Sequence, residues 1–467
     1  MELEQIQSRV QTLSKRLQER RPEIDRLMSL HDGKTGKLKF ASERFGEYVS
    51  KQFEGFSDNW CAPVAQAAPE RMNFLGIRPA GAIKGVSEPL QRVLEDNDAD
   101  GGFSTAFLVT GVTGRAFTLV HPGEEKGKPR ITFEHPASAI VDTNPVTGVD
   151  REGLVTWVDD KMDYAAFYTA DGWAQFSRNT EEAREVAGRA RSQAELASTW
   201  NLDEKGWRTH KFGMVPLTEL RNQDLLDDNP RSDIAGVGAM QEAINLVWAY
   251  LLNHLDQASL PARIITGADV PKIPILDKDG QVVGHREVEL DELMKERILW
   301  IPGKDIGIHE WTAAALDVFG KVISQMVEHV AAQTRTPPHY LVAKMVNTSG
   351  DALTVAETGL VAKTEERIRY VKRGVRKTCK LLAVGADLTG PDVEAIGSGK
   401  LIWKSVAFRS EAQLADALVK YKDLGFPFEW LAERLGLDPS EVDRVVELRK
   451  GELSQNPALA MQQFMGG

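Results

Sequence analysis

The sequence contains few of the residues on which metal sites and disulfide frameworks depend. Only two cysteines, Cys61 and Cys379, and nine histidines occur among its 467 residues. The cysteines are far apart and each lies in an apolar context, so we expect them to be reduced and buried. The histidines form no HxxxH or HExxH pair of the kind that binds zinc on a helix. The sequence therefore predicts neither disulfide bonds nor a metal centre.

Motifs for nucleotide binding and nucleophilic catalysis are also missing from the sequence. Residues 111–115 lack the GxxxxGK[ST] spacing of a phosphate loop, and no GxSxG motif occurs. Residues 96–101 begin like a calcium loop, but Phe107 occupies the position that requires a bidentate glutamate. We interpret this stretch as a connection between a helix and a strand. The sequence thus predicts no enzyme activity, no catalytic residue and no cofactor.

Charge and hydropathy argue against further classes of protein, namely basic nucleic-acid binders, membrane proteins and secreted proteins. Fifty-seven basic and 68 acidic residues give a net charge of −11, so no overall basic field attracts DNA or anionic lipid. The longest apolar runs, such as 381–384, are far shorter than the roughly 20 residues of a membrane-spanning helix. Residues 1–21 are rich in Glu, Gln and Arg and lack the apolar stretch of a secretory signal. We therefore expect no membrane partner and no secretion.

Hydrophobic periodicity predicts an α+β domain in residues 1–232. Apolar positions three and four apart indicate helices, and short runs of β-branched and aromatic residues indicate strands. Residues 180–199 are charged and rich in alanine, which indicates an exposed helical insertion. The predicted helices are 2–28 with an interruption at Pro22, 40–56, 61–75 and 87–97, and the predicted strands are 107–110, 115–120, 130–134, 139–141, 154–158, 164–169, 173–177 and 215–220.

The second half of the sequence predicts two helices that enclose a β insert. Helices 233–259 and 312–334 each carry one broad apolar face, and the insert 260–311 contains strands at 262–266 and 298–301. A long helix, 352–383, follows, and then a strand at 401–408 and short helices after 410. The polar face of the first helix is expected to meet water, and its residues are Gln241, Glu242, Asn245, Asn253 and Asp256.

A loop between a Pro-Pro break and the long helix is the strongest candidate for a functional segment. It has no hydrophobic period and carries a single cation, and either Ser349 or Asp351 can cap the start of the helix that follows. Such a segment is an ordinary connection about as often as not, but a loop held at both ends is well placed to contact a ligand. Its residues are Lys344, Met345, Val346, Asn347, Thr348, Ser349 and Gly350.

Several short motifs in a fixed order resemble the portal proteins of tailed bacteriophages, in particular the group common in phages of actinobacteria. No single motif is specific, but their order extends over most of the chain. The motifs are Asn59-Trp60-Cys61, Glu70-Arg71, Gly76, the stretch 97–100, Val215-Pro216-Leu217, the helix–insert–helix segment, Gln333-Thr334-Arg335-Thr336-Pro337-Pro338, and Gly350-Asp351-Ala352-Leu353 before the helix that contains Glu357.

The resemblance implies a portal-type fold of the α+β class. Residues 1–232 would form the wing, 233–259 and 312–334 the stem helices, and 260–311 the clip. The segment 335–383 would hold the tunnel loop, at 342–351, and the long helix behind it. Residues 384–409 would return a strand to the wing, and 410–467 would form the helical crown.

The resemblance also implies a dodecameric ring at one capsid vertex, which DNA enters during packaging and leaves during ejection. The implied partners are further copies of the chain, double-stranded DNA without sequence preference, the terminase large subunit, a head-completion or adaptor protein, the major capsid protein and the scaffold. The protein would assemble in the host cytoplasm and reside in the virion. An acidic protein with one lysine in each tunnel loop would hold DNA weakly enough for it to slide.

Three groups of residues are predicted to carry this role. The DNA-facing group is the loop Lys344–Gly350 named above. The group that contacts terminase or adaptor is a polar hairpin tip, Asp277, Lys278, Asp279, Gln281 and His285. The stem-packing group is Trp248, Leu251 and Phe319.

The residues alone leave a second class of function open. The same helix pair could belong to a non-catalytic intracellular scaffold or adaptor that binds a protein partner. A nuclease or ATPase has no supporting motif in the sequence. The oligomeric state separates the first two hypotheses, because only a portal requires a closed ring.

Overall fold

The computed structural model describes residues 2–34, 56–189, 193–227, 229–259, 263–267, 272–277, 280–287, 298–301, 305–310, 316–341, 350–407, 411–437 and 439–455. The chain divides into two compact units. The first consists of Met1–Gly33, Trp60–Gly238 and Ala331–Gly467, and the second of Lys34–Asn59 and Ala239–Val330. The predicted helix 40–56 lies outside the described residues except at Phe56.

Helices and sheets occur together, which confirms the predicted α+β class. None of the helices in the described ranges is long and apolar enough to span a bilayer. In chain order the helices are α1 (Leu3–His31), α2 (Cys61–Gln66), α3 (Glu88–Asp96), α4 (Ala99–Thr113), α5 (Thr180–Arg189), α6 (Gln193–Ala197), α7 (Gly238–Ser259), α8 (Leu316–Thr334), α9 (Pro338–Leu341), α10 (Gly350–Gly385), α11 (Gly390–Gly397), α12 (Glu411–Asp423), α13 (Phe428–Leu435) and α14 (Pro439–Gln455).

The strands form separate sheets in the two units. Those of the first unit are β1 (Phe74–Arg78), β2 (Arg115–His121), β3 (Arg130–Glu134), β4 (Ala139–Thr143), β5 (Asp150–Asp159), β6 (Met162–Tyr168), β7 (Gly172–Asn179), β8 (Asn201–Leu202), β9 (Arg208–Thr209), β10 (Leu217–Arg221) and β16 (Lys400–Trp403). Those of the second unit are β11 (Arg263–Thr266), β12 (Lys272–Leu276), β13 (Val282–Glu287), β14 (Ile298–Ile301) and β15 (Gly307–Glu310).

An antiparallel sheet is the centre of the first unit. Its order is β4-β5-β6-β7-β8, and β9 also pairs with β7. Leu154 and Phe167 on one face join a buried cluster with Val10 and Leu13 of α1. The other face shares a cluster with the sheet β10-β2-β3, in which Phe117 is completely buried. Alternation of side chains along the strands explains why both faces can be covered at once.

Helix α1 continues through Pro22, where the sequence predicted an interruption. A proline inside a helix costs about 3 kcal/mol because one hydrogen bond is lost and the ring crowds the preceding turn. The apolar face nevertheless continues beyond it, since Ile24, Leu27 and Leu30 are buried. Burial of these side chains offsets the cost, and the helix ends only at His31.

The second core of the first unit lies beneath α10. Val371 and Val375 of this helix share a cluster with Phe103 and Phe107 of α4. Cys379 belongs to the same cluster, and burial raises the pKa of its thiol to about 12 and that of Cys61 to about 11. Both cysteines are free and buried, as predicted from the sequence.

Three local predictions for the first unit were wrong. Residues 107–110 are helical in α4 instead of a strand, because burial of Phe103 and Phe107 in a common core outweighs β propensity. The stretch 96–101 consequently connects two helices, not a helix and a strand. The helix predicted for 61–75 ends at Gln66, and β1 begins at Phe74, where it pairs with β16.

The insertion at 180–199 is helical, as predicted, but it is not wholly exposed. Its two helices, α5 and α6, contain the buried residues Ala183 and Ala197. Trp200, directly after α6, joins the cluster on α1, and its indole Nε1 donates to Gln11 Oε1 at 3.2 Å. The insertion is therefore attached to the first unit by its C-terminal end.

Candidate channel and assembly sites

The predicted hairpin tip is present in the second unit. Strands β12 and β13 pair antiparallel, and the Gly280 amide donates to Asp277 O at 3.1 Å. The Asp277 carboxylate accepts from the Gln281 amide at 2.9 Å, which closes the turn. Asp277, Gln281 and His285 are exposed, whereas Lys278 and Asp279 lie outside the described residues. Their contact with terminase or an adaptor stays a prediction.

The strands of the second unit leave apolar side chains in solvent. Neighbouring residues of a strand point to opposite faces, and every residue of β12 from Lys272 to Leu276 is exposed, so the described residues cover neither face of this strand. A two-stranded hairpin is marginally stable by itself in water. The exposed apolar residues are between 44% and 77% accessible, and they are Ile273, Ile275, Leu276, Val282, Val283, Ile301, Ile306 and Ile308.

The three predicted stem residues lie in α7 and α8, and each is at least partly covered. Leu251 is buried. Trp248 is half-buried, with its indole Nε1 donating to Asp58 Oδ2 at 2.7 Å and its ring 6.0 Å from that of Phe56. Phe319 of α8 lies 5.4 Å from the His254 ring of α7, measured between ring centroids. Their role in stem packing, and through it in ring assembly, stays a prediction.

The prediction that one face of α7 meets water was wrong for three of its residues. Gln241, Asn245 and Asn253 are all buried. Gln241 Nε2 donates to Asp58 O at 2.6 Å, and Asn245 Oδ1 accepts from the Asp58 amide at 3.0 Å. A buried amide is stable only when it is hydrogen-bonded, and the segment before Asn59 supplies the partners. The sequence could not reveal this, because the partners are 183 and 187 residues away.

The predicted tunnel loop lies outside the described residues from Lys344 to Ser349, and Gly350 begins α10. The flanking residues are described. Arg71 donates through Nη2 to Tyr340 Oη at 2.7 Å and through Nη1 to Glu357 Oε2 at 3.2 Å. Tyr340 precedes the loop and Glu357 follows it, so one guanidinium ties both of its ends together. The sequence singled out Arg71 only as part of a short motif, without this role.

Two curated proteins are similar to this chain in sequence. Two portal proteins, from Mycobacterium phage D29 and Mycobacterium phage L5, are 24% and 25% identical to this chain over 341 residues. Each alignment covers 70% of this chain and 63% of the relative, so the chain matches less than two thirds of either relative's length.

Solved structures with similar chains come from a gene transfer agent. One is the virion of the native particle, with a TM-score of 0.40, 12% identity and coverage of 89% of this chain and 93% of the matched chain. The other is the neck of the native particle computed with C12 symmetry, with a TM-score of 0.40, 11% identity and coverage of 88% and 98%.

The most extensive match is to a family rather than to a single protein. The family is described as phage portal protein, SPP1 Gp6-like, and its model matches residues 11–435. This range includes the whole second unit, most of the first, and all three groups of residues singled out in the sequence. The chain therefore belongs to the family of SPP1 Gp6-like phage portal proteins.

Proposed function

We propose that the chain forms a dodecameric ring at one vertex of a phage capsid and that DNA passes through the channel of this ring. The observation that carries the proposal is the group of exposed apolar residues on the hairpin β12–β13 of the second unit, where Leu276 pairs with Val282. Monomeric proteins rarely expose contiguous apolar patches without a binding role. Copies placed head to tail in a closed ring cover such a surface on every subunit and leave none exposed.

The DNA-facing element of the ring is the loop Lys344–Gly350. Lys344 is its only cation, and Asn347, Thr348 and Ser349 offer neutral hydrogen bonds to phosphate oxygens. Such contacts are weak and independent of base sequence, as a channel for moving DNA requires. The Arg71–Tyr340–Glu357 contacts support this assignment, because they hold the residues on either side of the loop.

The other partners would meet the ring at separate surfaces. The hairpin tip with Asp277, Gln281 and His285, together with Lys278 and Asp279, would bind the terminase large subunit and later a head-completion or adaptor protein. The capsid protein and scaffold would surround the ring in the virion after assembly in the host cytoplasm. The chain itself acts without catalysis, and the packaging ATPase is a separate protein, since the sequence lacks a phosphate loop.

Mass measurement and electron microscopy of the purified protein test ring formation. We expect closed rings of about twelve chains, in line with closed point-group symmetry. Val283→Arg should yield smaller species, because it places a charge in the surface that the neighbouring subunit covers. Val146→Arg is the matched control: Val146 is 91% exposed and belongs to the first unit, whereas Val283 is 64% exposed. A wild-type monomer or dimer would favour the adaptor hypothesis instead.

Terminase binding is tested separately from assembly. The double variant Gln281→Ala, His285→Ala removes two exposed polar side chains from the hairpin without altering its apolar residues. We expect normal rings that no longer bind the terminase large subunit in a pull-down. Retained binding would exclude these two residues from the contact.

A further inference from the structure

A closed cluster of charged residues lies just before the chain passes from the first unit to the second. The first unit ends at Gly238 on the outward passage and resumes at Ala331 on the return. Asp233, near the outward passage, has a side chain only 1% exposed. It meets Lys363 and Arg367 of α10, whose side chains are 2% and 7% exposed. All three charged groups are thus withdrawn from water within a single chain.

The backbone around Asp233 is held firmly by its neighbours in the first unit. The Asp233 amide donates to Gly111 O at 2.8 Å, and the Asn222 amide donates to Gly114 O at 2.8 Å. Gly114 has φ +88°, and a Cβ there would lie 2.4 Å from Pro230 O. Only glycine allows so close an approach. The backbone at Asp233 is therefore held in place by contacts that do not involve its charge.

Only one of the two carboxylate oxygens of Asp233 accepts hydrogen bonds from the described residues. Oδ1 accepts from Arg367 Nε at 3.0 Å, from Arg367 Nη2 at 2.6 Å and from Asn222 Nδ2 at 3.0 Å. Oδ2 lies 3.5 Å from Lys363 Nζ, which is too long for a strong hydrogen bond. Within the described part of the chain, Oδ2, Lys363 Nζ and Arg367 Nη1 are buried and have no hydrogen-bond partner.

Buried polar atoms of this kind require an explanation, because nearly all such atoms in folded proteins are hydrogen-bonded. The pKa of Lys363 is lowered, chiefly because burial disfavours the charged amine, while Asp233 counteracts this effect. A side chain from another copy of the chain cannot supply the partner, since the cluster is already closed in one chain. Since the described residues supply no partner either, a small internal molecule is the candidate.

We propose that one internal water molecule binds Asp233, Lys363 and Arg367, and that the completed cluster is an ionic joint that holds the segment around Asp233 against α10 within the first unit. A water oxygen can accept from Lys363 Nζ and Arg367 Nη1 while one of its hydrogens is donated to Asp233 Oδ2. Three hydrogen bonds are typical of a buried water. A small anion would satisfy the two cations but would repel Oδ2, so water fits the donor and acceptor set better.

The return passage is attached to the same part of α10. Arg335 Nη2 donates to Glu366 Oε2 at 2.5 Å, one residue from Arg367. Helix α10 begins at Gly350, directly after the predicted DNA-facing loop. The functional consequence that we infer for the joint depends on the proposed function of the ring. A displacement of the loop by DNA would reach α10 and, through these two ion pairs, both passages of the chain. Asp233, Lys363 and Arg367 are positioning residues in this sense.

A double-mutant cycle with Asp233→Asn and Lys363→Met tests the joint. Asp233→Asn leaves two buried cations without a counter-charge, so hydrogen exchange of α10 amides near residue 363 should accelerate by about tenfold or more. Lys363→Met removes the surplus cation and should accelerate exchange far less. The double variant should exchange more slowly than the sum of the single effects predicts, because the uncompensated charge is reduced. Glu366→Gln is the control. It breaks the more exposed ion pair with Arg335 and should change hydrogen exchange only slightly.

A high-resolution map of the wild-type protein provides the second measurement. We expect density for one water within hydrogen-bonding distance of Asp233 Oδ2, Lys363 Nζ and Arg367 Nη1. Additive effects in the cycle, an anion at this position, or a protein atom bonded to Lys363 Nζ would each overturn the proposal. Ring formation is recorded on the same samples. Normal rings with an additive cycle would refute the joint alone, whereas a wild-type chain that forms no ring would refute the proposed function and leave the cycle interpretable.

Discussion

The two compact units of the chain differ in how far their described strands are covered. The first unit buries Phe117 and Phe167 completely between its layers and encloses even the charged Asp233. The second unit hydrogen-bonds its buried amides within itself, yet its strands leave residues such as Ile275 in solvent. The first unit therefore completes its core within one chain. The described strands of the second unit are more open than this, and the proposed ring would cover them with a neighbouring subunit.

The largest expected effect comes from making the same substitution in both units. Ile77 of β1 is 1% exposed, and Ile275 of β12 is 48% exposed. Ile77→Ala should lower the free energy of unfolding by about 2–5 kcal/mol, because it opens a cavity in a closed core. Ile275→Ala should change the stability of the isolated subunit by no more than about 0.5 kcal/mol, as surface substitutions do.

Urea unfolding at low protein concentration measures both values, and analytical ultracentrifugation measures assembly. We expect Ile275→Ala to form fewer rings than wild type. The Ile77→Ala protein that remains folded should form rings as wild type does. Equal losses of stability in the two variants would show that the second unit is closed within one chain, and the comparison between the units would fail.

A smaller effect is expected at the ion pairs that hold α1 to the central sheet. Asp142 is buried and accepts from Arg16 Nη1 at 2.7 Å and Arg9 Nη2 at 3.2 Å, and Arg151 Nη2 lies at 2.7 Å. Burial alone would raise the pKa of Asp142, but Arg16 and Arg151 outweigh it and the pKa is lowered. Because the three guanidiniums are between 35% and 52% exposed, we expect Asp142→Asn to cost only about 1–2 kcal/mol at pH 7.

The pH dependence of this effect has a definite sign. A carboxylate with a lowered pKa in the folded state stabilises it above the unfolded pKa of about 4, and this contribution is lost as the pH falls through the folded value. The difference between wild type and Asp142→Asn should therefore shrink below about pH 4. Urea unfolding at a series of pH values measures it, with Asp159→Asn at the exposed end of β5 as the control. A difference that stays constant down to acid pH would contradict the assignment.

A third effect is expected at a hydrogen bond between two residues of the second unit. Its loss should lower the free energy of unfolding by about 1–2 kcal/mol. Trp248→Phe keeps the ring beside Phe56 but removes the indole N–H that donates to Asp58 Oδ2. Thermal unfolding of the subunit should register the loss. Asp58→Asn keeps an acceptor oxygen at this position and should lose less. If both variants match wild type, the hydrogen bond contributes nothing and the interior of the second unit is looser than its contacts indicate.

The sequence predicted the elements whose periodicity is set by one buried face. Helices α7 and α8 lie within a few residues of their predicted positions. The strands β3 and β14 and the hairpin around Asp277 do so too, and they were predicted from short apolar runs and turn residues. The sequence did not predict burial that depends on residues far away in the chain. The burial of Gln241 and Asn245 depends on Asp58.

The ionic joint was missed for a related reason. Lys363 and Arg367 were not singled out in the sequence, although they lie four residues apart on the side of the long helix that also buries Leu360 and Val371. The helical spacing could have revealed this, because positions 360, 363, 367 and 371 fall on one face. What the spacing could not supply is the counter-charge, since Asp233 is 130 residues from Lys363 in sequence and reaches it only through the fold.

The smallest expected effect concerns the loop between the two anchored segments. Removing Lys344 takes away the only cation that each subunit presents to DNA there, while Arg71, Tyr340 and Glu357 still hold the flanking residues. Lys344→Ala should therefore reduce the retention or movement of DNA without changing ring assembly or terminase binding. The effect should be the same for DNA of any sequence and should fade as salt rises, because it rests on screened charges. A packaging assay across a salt series measures it, and Lys344→Arg, which preserves the charge, should behave like wild type. Unaltered packaging and retention of DNA by Lys344→Ala rings at every salt concentration would remove this residue from the DNA path.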